Sequence, residues 1–118
     1  MSDERKPPRT PRRLRKTSGD RLRAALLDLA DHRAQVLEHK EVPWASITFA
    51  GARHTLTLLF VGEEAATAGE HFIAALPDHV FAIPGQLVAD ASISECEHRM
   101  LPHPRIVVTC EVLMLEEG

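Results

Sequence analysis

Apolar residues near the start of the chain recur every three or four positions, as one face of an α-helix requires. The series comprises Leu22, Ala25, Leu26, Leu29, Val36 and Leu37. Thr17 or Ser18 is placed to cap such a helix, and Pro43 follows its expected end. The pattern therefore predicts a first helix from about Gly19 to about Lys40.

Apolar and polar residues then alternate along WASITFAGARHTLTLLFV, residues 44–61, as in a strand with one buried face. Gly51 and Ala52 separate two such runs, and glycine suits the first position of a tight hairpin turn. A two-residue loop there places Ile47 opposite Leu56 on the apolar face. We therefore predict a β-hairpin in that register.

Helical spacing returns in GEEAATAGEHFIAALP, residues 62–77, which has glutamates in its first turn and a proline at its end. Pro84 and Gly85 then suit the middle of a type II turn. Residues 87–94 and 106–115 alternate again and predict two further strands. The expected fold is α+β, a four-stranded antiparallel sheet of two hairpins with two helices on one face, in the order α-β-β-α-β-β.

The sheet face turned away from the helices is expected to carry large apolar side chains among serines and threonines. Its candidate partner surface comprises Trp44, Leu59, Val107 and Leu113. Sheet faces with so much apolar area are rarely left in water, and two-fold dimers are the commonest soluble assemblies. We therefore expect a homo-oligomer, most simply a dimer. Cover by the first helix or by the N-terminal segment is the alternative.

The length of 118 residues and the 44% apolar content suit one domain. Residues 1–17, rich in proline and arginine, are expected to form a disordered basic tail, and residues 18–118 the single α+β domain. No run approaches the roughly 20 apolar residues that cross a bilayer, and the N-terminus lacks the apolar stretch of a secretory signal. The expected location is the cytoplasm, with reduced cysteines, and the arginine- and alanine-rich composition is typical of a bacterial protein.

The net charge of −3 conceals a division along the chain. Residues 1–23 carry nine basic and three acidic residues, whereas residues 24–118 carry five basic and fourteen acidic ones. The candidate polyanion-binding residues are Arg9, Arg12, Arg13, Arg15 and Lys16. Lysines and arginines bind polyanions by releasing counterions, but the acidic body repels a phosphate backbone. Nucleic-acid association through the tail is therefore an alternative function rather than the first.

Both cysteines lie in SECEHRMLPHPRIVVTC, residues 94–110. Cys96 and His98, two apart on a strand, point to one face, and His103 follows in the loop. Cys110 alternates with apolar residues of the helix-covered face, where it acts as a small apolar side chain. The spacing lacks the paired knuckles of structural zinc sites, so we predict a hairpin with no bound cofactor. Cys96, His98 and His103 are the secondary metal candidates, and a Cys96/His98 site shared across a dimer is the alternative.

Candidate catalytic groups are few. Asp90 and Glu111 are expected near each other on the open sheet face, where one carboxyl could serve as a general acid. Cys96 lies beside His98, but no third group orients the pair as nucleophilic catalysis requires.

Asp28, His32 and His39 fall on one flank of the first predicted helix and are interpreted as a solvated face. The P-loop, dinucleotide-binding, HExxH and GxSxG motifs do not occur in the sequence. The sequence thus predicts a small, non-catalytic, self-associating interaction domain. A metal-dependent or hydrolytic enzyme that uses Cys96/His98 and Asp90/Glu111 is a further alternative.

Overall fold

The computed structural model describes residues 16–117. Its helices are α1 (Ser18–Leu29) and α2 (Glu63–Ala75), and α2 continues into a 3-10 turn (Leu76–Asp78). Its strands are β1 (Ala34–Ala45), β2 (Ala50–Val61), β3 (Gln86–Arg99) and β4 (Arg105–Glu116). The strands form one antiparallel sheet in the order β1-β2-β4-β3. The predicted α+β class and the order α-β-β-α-β-β are confirmed.

Helix α1 begins with the cap that the sequence predicted. Thr17 Oγ1 accepts a hydrogen bond from the backbone N–H of Asp20 at 3.0 Å, and Asp20 Oδ2 accepts one from the backbone N–H of Thr17 at 3.2 Å. This reciprocal pair is a capping box. The hydrogen bonds from Thr17, its backbone N–H first, hold the pKa of Asp20 below its usual value.

The first helix is shorter than predicted and ends at Leu29 instead of about Lys40. Asp31 and His32 adopt left-handed backbone conformations, with φ of 60° and 56°, and these two residue types tolerate that region better than most. The chain reverses there and enters β1. Val36, which fits the helical spacing, instead points from β1 towards the core, while Leu37 lies at a bulge and is 53% exposed.

The predicted register of the first hairpin was wrong. The turn lies at residues 46–49, where Ser46 Oγ accepts hydrogen bonds from the backbone N–H groups of Thr48 and Phe49 at 3.3 and 3.0 Å. His39, not Ile47, faces Leu56, and Ile47 is fully exposed in the turn. Local serine hydrogen bonds thus form the turn that was expected at the glycine.

The core lies between the helices and one face of the sheet. Its fully buried members include Leu22, Leu26, Leu56, Leu58, Phe60, Phe72, Ile106, Val108, Cys110 and Val112. The rings of Phe60 and Phe72 meet at a centroid distance of 5.9 Å and tie α2 to the sheet. Because both helices contribute to this single cluster, they cover the same face, and within residues 16–117 the other face carries no helix.

Strand β3 contains two irregularities that decide which way its side chains point. The strand follows the predicted turn at Pro84 and Gly85, and Gly85 has a φ of 75°. The β3–β4 register then shifts between Val88 and Asp90 and again between Ile93 and Glu95. Each one-residue shift exchanges the two faces of the strand.

No helix within residues 16–117 is long and apolar enough to span a bilayer.

Candidate functional site

The sheet face opposite the helices, here called the open face, carries all four residues of the predicted partner surface. Leu59 pairs with Val107 across β2 and β4, Leu113 pairs with Arg53, and Trp44 pairs with Gly51. The four apolar side chains are half-buried. Within residues 16–117 no helix or strand packs on this face. The first helix, which could have covered it, lies on the other side.

The open face has an apolar end on each side of a polar belt. A rung is here a row of paired residues that runs across the strands. Trp44, Leu87 and Leu115 lie on the rung at one end, and Leu59 lies beside Val107 near the other end, one rung before the pair Arg99 and Arg105. Between them the hydroxyl oxygens of Thr57 and Thr109 are 3.3 Å apart and satisfy each other. Such a belt limits where a partner's apolar side chains can pack.

The charges of the open face are divided between its two halves. On β1 and β2 the basic Lys40 and Arg53 outnumber Glu38. The acidic residues outnumber Arg99 and Arg105 on β3 and β4, where they are Asp90, Glu95, Glu97 and Glu111. Asp90 faces Leu113, and Glu111 faces Ser92, so the two carboxyls share the face but occupy neighbouring rungs. The predicted carboxyl pair is therefore on one face without being directly opposed.

The bulge before Glu95 places Cys96 opposite Val108 and His98 opposite Ile106, on the helix side of the sheet. These two residues and the carboxyls of Asp90 and Glu111 consequently lie on opposite faces. Cys96 is an exposed free thiol, and His98 and His103 are exposed as well. Within the described residues no group of three or more His, Cys, Asp or Glu side chains is placed to hold a metal ion.

Cys110 lies in the core, as its alternation with apolar residues predicted. Burial raises the pKa of its thiol to about 11, so it stays protonated at neutral pH. Of the predicted polyanion-binding residues, Lys16 is exposed, while Arg9, Arg12, Arg13 and Arg15 lie outside the described residues, as does most of the expected disordered tail.

A histidine pair that the sequence analysis missed lies between β1 and β2, beneath α1. His39 Nε2 is 2.9 Å from His54 Nδ1, and Arg23 Nη2 is 3.4 Å from His39 Nδ1. Because a guanidinium only donates, His39 Nδ1 accepts, so its Nε2 carries the proton and donates to His54. The contacts thereby select one tautomer for each neutral ring.

Burial is the main reason that the pKa of each of these histidines lies below its usual value. The Arg23 charge lowers the pKa of His39 further, whereas Glu41 raises the pKa of both rings. Asp28 and His32 form the exposed i,i+4 contact of a solvated face, at 3.0 Å, whereas His39, expected on the same helix flank, lies on β1. One signal for the pair was present in the sequence, since His54 alternates in phase with the buried residues of β2.

Comparison with known proteins gives a shared fold and no family. No family model matches the chain, and no curated protein matches it. Among solved structures, a chain from the virion of a native gene transfer agent particle is similar, with a TM-score of 0.56 and 14% identity. The similarity covers 78% of this chain and 85% of that chain. At this identity the similarity establishes the fold alone.

Proposed function

We propose that this protein is a non-catalytic, self-associating subunit of a multi-chain assembly and that copies of the chain meet through its open face. The observation that carries the proposal is the half-buried apolar set of Trp44, Leu59, Val107 and Leu113 on a face that no described element covers. Apolar side chains set among polar ones are typical of protein interfaces, and aromatic residues often anchor them.

The size of the open face suits this role. Four strands about 4.8 Å apart and about 12 residues long, at about 3.4 Å a residue, present roughly 800 Å². A stable interface of standard size buries about 800 Å² on each partner. The face is therefore large enough for a specific complex without a contribution from the rest of the molecule.

Two further observations support a structural role. The chain with a similar fold belongs to a gene transfer agent virion particle, although a shared fold carries function only by analogy. The residues of the enzymatic alternative are divided, because Cys96 and His98 lie on one side of the sheet and Asp90 and Glu111 on the other. Nucleophilic or acid–base catalysis needs such groups within hydrogen-bond reach of one substrate atom.

Subunit number under native conditions tests the proposal. The full chain should be oligomeric by native mass spectrometry and sedimentation, and Leu59→Asp combined with Val107→Asp should give a folded monomer. Ile47→Asp is the matched control, because Ile47 is fully exposed in the β1–β2 turn and away from the open face. A monomeric wild-type chain at tens of micromolar, or a double variant that stays oligomeric, would overturn the proposal. If the wild type is monomeric, association after deletion of residues 1–15 would show that the chain's own N-terminal segment covers the face.

We also propose a second function, the binding of a polyanion such as nucleic acid by a separate basic segment, residues 1–17, with the folded domain starting at residue 18. The division of charge supports this second candidate, because nine of the fourteen basic residues lie in the first 23 positions. Binding to a polyanion should weaken steeply as salt is raised. It should also be lost when residues 1–15 are removed, a truncation that keeps the Thr17 cap of α1, and unchanged binding by that truncation would contradict the assignment.

A further inference from the structure

We propose that two copies of the chain meet open face to open face and are related by a two-fold axis parallel to the strands. The β1–β2 half of each copy then lies over the β3–β4 half of the other. This inference rests on the proposed function and adds the orientation of the two copies. Two features of the open face carry it, the order of apolar rungs along the strands and the division of charge across them.

The apolar rungs select the direction of the axis. A two-fold axis parallel to the strands keeps every rung over itself, so it places Trp44 over Leu87 and Leu59 over Val107. Apolar side chains then meet on the Trp44 rung and on the Leu59 rung, with the threonine belt between, and Arg105 on the rung beyond Leu59 lies over Val61. Aligned packing of two sheets is one of the two common arrangements of sheet on sheet.

An axis perpendicular to the strands fails the same test. It would reverse the rungs and place Arg99 and Arg105, which pair at the far end of β3 and β4, over Leu87 and Leu115. Both arginines would then lie over leucines with no carboxylate on the facing rung, and burial of an unpaired charge is strongly unfavourable. The parallel axis sets Arg53 over Leu113, but there Asp90 lies on the same rung. The same axis would set Asp90 against Glu97.

The charges agree with the parallel axis. Because that axis exchanges the halves, Lys40 and Arg53 of one copy approach Glu111 and Asp90 of the other on neighbouring rungs, and the contact occurs twice. Strand and sheet spacings of about 4.8 and 10 Å leave these partners within reach of long side chains. Such complementary charges chiefly set orientation and specificity.

One like-charged pair is brought together by this arrangement. Glu38 would face Glu95, at the outer strands of the two sheets. Lys40 Nζ already lies 3.7 Å from Glu38 Oε2 and offsets part of that repulsion. Both positions are exposed, where charge interactions are weak and screened by salt.

Exchange of charges between the halves tests the orientation. At about 50 mM salt, the full-length variants K40E/R53E and D90K/E111K should each form homodimers about tenfold or more weaker than the wild type, because each makes both halves alike in charge. An equimolar mixture of the two should form a heterodimer. The chain with all four changes should regain wild-type self-association, because its halves are simply exchanged.

Sedimentation and native mass spectrometry separate the outcomes. The matched control is E70K/D78K, which changes two exposed acidic residues outside the open face and should dimerise like the wild type. Tighter dimerisation of D90K/E111K would indicate the perpendicular axis, where the D90K change would place a lysine against Glu97, and would overturn the inference. Unaltered dimerisation of both charge variants would also overturn it, while leaving the proposed function intact. A monomeric wild type would instead contradict the proposed function itself.

Discussion

His39 and His54 are hydrogen-bonded ring to ring across β1 and β2, with Nε2 and Nδ1 2.9 Å apart. His54 is only 1% exposed, and the other buried core side chains of residues 16–117 are apolar. A slip of β1 against β2 would remove its partner and leave a buried polar group unsatisfied, which costs about 1–3 kcal/mol. The pair therefore helps to specify the register of the first hairpin.

The histidine pair predicts a loss of stability at mildly acidic pH. Because burial lowers the pKa of both rings in the folded protein, the unfolded chain binds protons first as the pH falls below about 6.5. The free energy of unfolding should be level above about pH 7. It should then decrease towards pH 5, by at most about 1.4 kcal/mol per pH unit for each histidine. Urea unfolding at a series of pH values measures this.

Variants assign that pH dependence to the pair. The double variant His39→Gln, His54→Gln should lose stability at neutral pH but show a much smaller slope between pH 7 and 5. His71→Gln, at an exposed position on α2, should keep the wild-type slope. Arg23 and Asp20 on α1 and Glu41 on β1 are the charges that face the pair. A full slope in the double variant would assign the effect to other groups.

Replacement by alanine should affect the free energy of unfolding differently at Gly51 and at Gly19. A Cβ on Gly51 would overlap the carbonyl oxygen of Met114 and come within 2.8 Å of Leu115 Cα, so β2 and β4 would have to separate. Gly51→Ala should lower the free energy of unfolding by about 2 kcal/mol or more. A Cβ on Gly19 would meet ordinary contacts of 3.4–3.5 Å, and alanine favours the helix by up to about 1 kcal/mol.

Gly19→Ala should therefore be neutral or stabilising. Urea unfolding of both variants at pH 7.5, above the range in which His39 and His54 change the stability, compares them. Equal destabilisation by the two substitutions would show that the close approach of β2 to β4 does not determine the stability cost of a Cβ at Gly51.

Alternation within β2 and β4 was sufficient to predict which face of the sheet is buried. Leu56, Leu58 and Phe60 lie inward as expected, and Leu59 and Leu113 lie on the open face. The predicted register of the first hairpin was slipped by eight positions, and an even slip keeps alternate residues of the strand that pairs with β2 on the same face of the sheet. That is why the open face was predicted correctly from a wrong register.

Two features lay beyond the pattern. The spacing of Val36 and Leu37 after Leu29 fits a helix as well as a strand, and long-range pairing with β2 decides in favour of the strand. The two bulges of β3 leave no mark in its alternation, yet the second of them moves Cys96 and His98 to the helix side. Neither feature can be read from local residue order, because each depends on a partner strand.

The capping box of α1 predicts a measurable contribution to stability. Thr17→Ala removes the side-chain acceptor for the Asp20 N–H and should lower the free energy of unfolding by about 1 kcal/mol. Thr17→Ser keeps that acceptor and is the matched control. The pKa of Asp20 should also rise towards its usual value in Thr17→Ala, because one of its supporting hydrogen bonds is lost. Chemical denaturation and carboxyl titration by NMR measure the two effects, and equal stability of both variants would contradict the cap.

The two cysteines should differ sharply in reactivity with a thiol reagent. Cys96 is exposed on β3, whereas Cys110 is fully buried and its raised pKa of about 11 leaves almost no thiolate at pH 8. The native protein should therefore react rapidly with one equivalent of the reagent per chain, and the unfolded protein with two. Cys96→Ser should react only as fast as the protein opens, so its rate should follow the free energy of unfolding as urea is added. Rapid labelling of native Cys96→Ser would mean that the core around Val108 and Cys110 opens far more readily than its packing implies.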